Sequence, residues 1–240
     1  MKSFVRVFGV VAGMAALLVS CNKQEAVFIP EDKTVEMTIV ASSDETKTVL
    51  GGNGTVTWSD SGEQLAVIEA AVSGLETTTA IETSSVGVTN NGGATMTFGV
   101  SLNSKRATSF DYYALYPNSA YVDTPSDFTN VKVNLASTQA PTEFSFGPSA
   151  DVLVAKPVTG LTTQPTELNL QFARVIAVGK MTIKNLGTEE KVKKVTFTAA
   201  NKAVTGGSYI DFTTAAGGDI YGGVDNVVLD YSGKTIRDKD

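Results

Sequence analysis

Three pairs of carboxylates lie close enough in sequence to attempt acid–base chemistry: Asp44-Glu45, Asp60 with Glu63, and Glu189-Glu190. A catalytic acid needs a desolvated setting that raises its pKa. These pairs sit among Ser, Gly, Thr or Lys, the composition of solvated turns, so no catalytic residue is expected. Asp60-Ser61-Gly62-Glu63 lacks the acid-at-every-second-residue spacing of calcium loops, and no metal site is expected either. The chain has no histidine, which excludes Ser-His-Asp and Cys-His catalysis and any His-ligated metal. Its single cysteine, Cys21, excludes an intramolecular disulfide and a CxxC site. No GxGxxG or Walker-type pattern opens a helix, so no nucleotide or other cofactor is expected.

Aromatic rings could do different work. Tyr112, Tyr113, Tyr116 and Tyr121 lie close together, and Trp58 is the only tryptophan. Exposed, such rings are stacking platforms for sugars. On a strand, Phe110, Tyr112 and Ala114 would share one face and Tyr113 and Leu115 the other, with one set in a core. That core reading is the simpler one, and Trp58 joins it through Val56 on the same face.

Charge argues against nucleic acid. With 19 Lys and Arg against 25 Asp and Glu, the formal net charge is −6, whereas phosphate binding needs clustered cations. Lys191, Lys193 and Lys194 form a small basic cluster that fits an exposed or edge strand guarded by charge. Lys105-Arg106 fits a solvated turn.

Residues 1–20 have the parts of a secretory leader. A basic start, Lys2 to Arg6, precedes an apolar run from Val7 to Val19, which is shorter than the ~20 residues a membrane-spanning helix needs. Leu18-Val19-Ser20-Cys21 resembles a bacterial lipobox. It implies cleavage between Ser20 and Cys21, diacylglycerol on the thiol and acylation of the new amine. Asn22 follows where an inner-membrane retention signal would place Asp, so the outer membrane is expected. Residues 21–33 read as a tether, although Ala26 to Ile29 could pack against the body.

From Thr34 onward the apolar period is two. Val35, Met37 and Ile39 alternate with Thr34, Glu36 and Thr38. Thr46 to Leu50 and Thr55 to Trp58 flank Gly51-Gly52-Asn53-Gly54, a hairpin signal, and Asn90-Asn91-Gly92-Gly93 is a second. Leu65 to Ile68, Phe110 to Tyr116, Val131 to Leu135 and Asp151 to Ala155 read as further strands. Beyond them, Leu168 to Asn185 reads as one bent strand or two joined at Gly179. Val192 to Ala199, Ser208 to Phe212 and Asn226 to Tyr231 continue the pattern. The 30 threonines, stiff at χ1, suit exposed strand faces. An all-β fold of two sheets packed face to face is expected. Pro157 to Pro165, with two prolines and one glycine, is the best boundary candidate. It divides the body into 34–160 and 161–240, whose later strands either complete the first domain or begin an incomplete second one.

Several segments in order resemble the fimbrillin-like family of surface lipoproteins from gut and oral anaerobes. They are the lipobox at Cys21, Thr46-Lys47-Thr48, Val56-Thr57-Trp58-Ser59-Asp60 and Leu65-Ala66-Val67. Tyr113-Ala114-Leu115-Tyr116-Pro117, Ala150-Asp151-Val152-Leu153-Val154-Ala155 and Phe172-Ala173-Arg174-Val175 complete the set. The resemblance implies tandem transthyretin-like β-sandwich domains, the second opening with the Ala-Arg-Val strand. It further implies a non-enzymatic pilus component or adhesin, lipid-anchored at the outer membrane and meeting other pilus subunits or a host or bacterial surface ligand. Polymerising members are cut after an Arg near the first strand, and the vacated groove takes a neighbour's donor strand. Here no Arg lies between Cys21 and Lys105, which favours a tip, anchor or stand-alone adhesin. The alternative is a glycan-binding lipoprotein of a polysaccharide-uptake system.

Overall fold

The computed structural model describes residues 33–42, 49–50, 56–58, 63–73, 76–82, 86–90, 95–123, 128–141, 146–147, 150–176, 179, 181, 183–184, 192–200, 204–220 and 226–230. The fold is all-β, as the period-two pattern requires. A nine-stranded sheet runs in the order β5 (Glu76–Glu82), β4 (Ala66–Ser73), β8 (Ser109–Tyr116), β11 (Leu153–Ala155), β13 (Glu167–Arg174), β1 (Lys33–Ser42), β7 (Thr95–Ser104), β6 (Val86–Asn90), with β12 (Val158–Leu161) also on β8. It curls into a half-barrel. A three-stranded sheet of β16 (Ala216–Ile220), β15 (Gly206–Asp211) and β9 (Val131–Leu135) packs outside it, making a sandwich. A second three-stranded sheet joins β10 (Thr138–Gln139), β17 (Asn226–Asp230) and β14 (Lys194–Thr198), and β2 (Val49–Leu50) pairs with β3 (Val56–Thr57).

Burial explains which strands alternate and which do not. β1 and β7 are covered on their inner face alone, so Val35, Met37, Ile39 and Ala41 are buried against Met96, Phe98, Val100 and Leu102 while the intervening residues are not. β4, β8 and β11 lie between two layers and are buried on both faces, the condition that gives continuous apolar runs. Val67, Tyr112 and Leu153 face the inner core. Ile68, Tyr113 and Val154 face the outer one, where Val131, Val133, Ile210 and Phe212 cover them.

One sequence expectation changes here. The run from Leu168 to Asn185 is not strand throughout: β13 stops at Arg174, and the described residues beyond it up to 184 are not extended ladder. Within Pro157 to Pro165 the chain forms β12, and the following strand, β13, is inserted between β11 and β1, parallel to β1. At Gly160 the φ of +74° lies in the left-handed region where glycine has no Cβ penalty, and its N–H donates to Asp111 Oδ1 at 2.7 Å.

Candidate functional site

Four aromatic rings from separate parts of the chain come together. Trp58 meets Tyr116 and Phe172 edge-on, with centroids 5.5 and 6.1 Å apart, and Phe98 at 6.0 Å. Asn118, just past Tyr116-Pro117, donates its backbone N–H to the Gln64 carbonyl at 3.0 Å and its side-chain amide to Gln64 Oε1 at 3.1 Å. Beside this knot, antiparallel pairing sets Leu153 opposite Arg174. Arg174 Nε–H donates to Asp151 Oδ1 at 2.6 Å and Nη2–H to Oδ2 at 2.9 Å, while the guanidinium lies 5.3 Å from the Phe146 ring centroid. Asp151 is fully buried and Glu63 nearly so. Burial pushes the Asp151 carboxyl above its usual range, Arg174 pulls it back only in part, and the Glu63 charge adds to the rise.

A second buried carboxylate lies inside the half-barrel. Glu69 is opposite Tyr112 on β8 and accepts the Tyr112 hydroxyl on Oε2 at 2.8 Å. Its Oε1 accepts the Ser104 hydroxyl, which in turn accepts the Gln164 amide. β4 and β7 stand far apart in the sheet order, so this chain of hydrogen bonds closes the curl. Burial first, then the Glu69 hydrogen bond and charge, raises the Tyr112 phenol far above its ordinary value.

These carboxylates are satisfied within the fold. The oxygens of Asp151 are taken by the guanidinium and those of Glu69 by hydroxyl donors, in surroundings without exposure to solvent. Among the described residues no group of three or more His, Cys, Asp or Glu could hold a metal, and no helix is long and apolar enough to cross a membrane. An open recess of about 300 Å³ on the outer face of β1 and β7 is lined by Glu36, Thr38, Gly99, Ser101 and Thr166, among others. Its Glu36 carboxylate accepts the Ser101 hydroxyl at 2.6 Å.

The sequence-nominated residues fall out as follows. Asp44, Glu45, Asp60, Glu189 and Glu190 lie outside the described residues, as do Ser20, Cys21 and Lys191. Glu63 is buried, contrary to the solvated turn expected for it, and its charge reaches Asp151. Trp58, Tyr112, Tyr113 and Tyr116 are buried and Tyr121 is packed against the outer core, so these rings offer no sugar platform. Both faces of β8 are core, where alternation had suggested one. Lys194 opens the edge strand β14 and is exposed with Lys193; Arg106 is exposed in the β7–β8 connection. Glu69 was missed, although a lone charge inside the apolar run from Leu65 to Val72 was its signal.

No protein-family model matches the chain, and no curated protein matches it. Among solved structures, a protein of Bacteroides uniformis described as a "putative cell adhesion protein" is similar over 80% of this chain and 69% of its own, at 14% identity and a TM-score of 0.39.

Proposed function

We propose that this chain is a lipid-anchored, non-enzymatic β-sandwich protein of the outer-membrane surface, acting as a fimbrial component or cell-surface adhesin. The observation that carries the reading is Leu18-Val19-Ser20-Cys21, placed after a basic and apolar leader on the only cysteine of the chain. Two or three acyl chains at Cys21 anchor stably, since each buried CH₂ contributes about 0.8 kcal/mol. Partners are other pilus subunits or a ligand on a host or bacterial surface.

The body supports this reading. Trp58, Tyr112, Tyr113 and Tyr116 and the carboxylates of Asp151 and Glu69 are spent inside the fold, which weakens the glycan-uptake alternative. β1 is hydrogen-bonded on both sides and buries four apolar side chains, and no Arg precedes it after Cys21. Retention of that strand favours a tip, anchor or stand-alone adhesin over a polymerising stalk.

Cells making wild type or Cys21→Ala are fed labelled palmitate. Label on wild type and none on the variant is expected; equal labelling overturns the anchor. Surface fibres and adhesion are then compared in cells with and without the gene. Unchanged adhesion together with fibres free of this chain overturns the role.

A further inference from the structure

We propose that Ser104, Gln164 and Glu69 form a self-catalysed cross-link, in which the Ser104 hydroxyl displaces ammonia from the Gln164 carboxamide and joins the two side chains by an ester. The three groups that this reaction needs meet at one point inside the half-barrel. Ser104, the last residue of β7, is buried and donates its hydroxyl to Glu69 Oε1. Gln164, in the connection between β12 and β13 and 60 residues further along the chain, donates its Nε2 amide to the same Ser104 oxygen. Glu69 is fully buried, and its other oxygen accepts the Tyr112 hydroxyl at 2.8 Å. A hydroxyl hydrogen-bonded to a carboxylate is the arrangement of a nucleophile with its base. The carbonyl carbon of Gln164 is one bond beyond the nitrogen already held on Ser104 Oγ. The last torsion of a glutamine is soft, so a swing of the carboxamide brings that carbon over the nucleophile.

The atoms balance without a co-reactant. Ser104 Oγ bonds to Cδ of Gln164 as its proton passes to Glu69. The Cδ–Nε2 bond then breaks, the proton moves on to the departing nitrogen, and one ammonia leaves while Glu69 returns to its carboxylate. Nothing is oxidised or reduced. Holding the reactants together removes the entropy cost of an encounter, and one turnover per molecule is all that is required. Gln164 is half-buried, which leaves a way out for the ammonia, and its dilution and protonation in solution draw the reaction forward. Ser104 and Glu69 lie away from solvent, so water that would hydrolyse the ester is kept out. The ester ties the end of β7 to the chain ahead of β13, beside the seam that closes the curl. It rests neither on the lipid anchor nor on an adhesive role.

The test takes the full-length protein, purified from cells in detergent, through intact mass spectrometry and then through denaturation, digestion and tandem mass spectrometry. Wild type is expected to weigh one ammonia less than the unmodified chain and to yield a branched peptide joining Ser104 to Gln164. Hydroxylamine should split that branch and leave a hydroxamate on Gln164, as an ester requires. Ser104→Ala and Gln164→Ala should show neither the loss nor the branch. Glu69→Gln, which retains the shape of the side chain and removes the base, should show neither as well. Gln164→Ala, at a half-buried position, keeps the comparison meaningful if the other variants do not fold. Asn53-Gly54 and Asn91-Gly92 can also lose ammonia by closing on their own backbone, so the position of the loss decides. Wild type at full mass, a loss that maps elsewhere or persists in Gln164→Ala, or a branch that forms undiminished in Glu69→Gln overturns the proposal.

Discussion

Arg174, the last residue of β13, holds the fully buried carboxylate of Asp151 in a two-pronged grip, at 2.6 Å through Nε and 2.9 Å through Nη2. The pair fastens the chain just ahead of β11 to the end of β13.

Removal of the two partners should not cost the same. Without Arg174, Asp151 is left as a fully buried carboxylate, and an uncompensated buried charge costs on the order of 3–5 kcal/mol. Asp151→Asn keeps the shape and removes the carboxylate whose desolvation exceeds its pairing. Urea unfolding of Arg174→Met and Asp151→Asn at neutral pH checks this. Arg174→Met is expected to lose the larger amount; equal losses would mean that the ion pair is a net stabiliser.

The same clasp sets a pH dependence. A carboxyl raised in the folded state binds its proton more tightly than in the unfolded chain, where its value is near 3.8. Its contribution is therefore greatest when protonated and is lost as pH rises from about 3.8 through the higher folded value. The stability of wild type relative to Asp151→Asn should fall across that window and level off above it. Urea midpoints of both proteins, measured from pH 3 upward, read the difference directly. A difference that stays flat, or rises with pH, contradicts the raised carboxyl.

The Glu69 seam predicts coupling between residues on different flanks of the half-barrel. Tyr112→Phe takes the donor from one carboxylate oxygen, and a hydrogen bond to a charged group contributes about 1.5–3 kcal/mol. Ser104→Ala takes the donor from the other oxygen and also strands the Gln164 amide. Because both act on one buried carboxylate, the double variant should depart from additivity by at least about 0.5 kcal/mol. Strict additivity in a thermal or urea double-mutant cycle would show that the seam is not a unit.

Much of the fold was legible because a strand with one wet face writes its burial into the sequence. β1 shows this in Val35, Met37 and Ile39, and β9 falls at the residues expected for it. Strands buried on both faces lose that signature. Alternation in β8 therefore suggested a wet face for one set of tyrosines when Tyr112 and Tyr113 both lie in cores. The partners of Glu69 were illegible for a related reason: Ser104 and Gln164 are brought to it by the curl of the sheet and not by sequence proximity. Cys21, the most informative residue of the sequence, lies outside the described residues.

Trp58 offers the last check, because the only tryptophan packs against rings of β7, β8 and β13. Three edge-on contacts, to Phe98, Tyr116 and Phe172, surround a ring that is 2% exposed. Aromatic pairs of this geometry contribute about 0.5–1.5 kcal/mol beyond area burial, and a buried Trp→Ala change costs about 3–5 kcal/mol. Trp58→Phe keeps an aromatic edge and part of the volume, so it should cost clearly less than Trp58→Ala. The wild-type emission should be blue-shifted and shielded from iodide until the cooperative urea transition, and it should red-shift at the same midpoint as the far-ultraviolet signal. An iodide-accessible tryptophan before that transition would mean that the strands do not close around Trp58, and the shared centre of the fold would be lost with it.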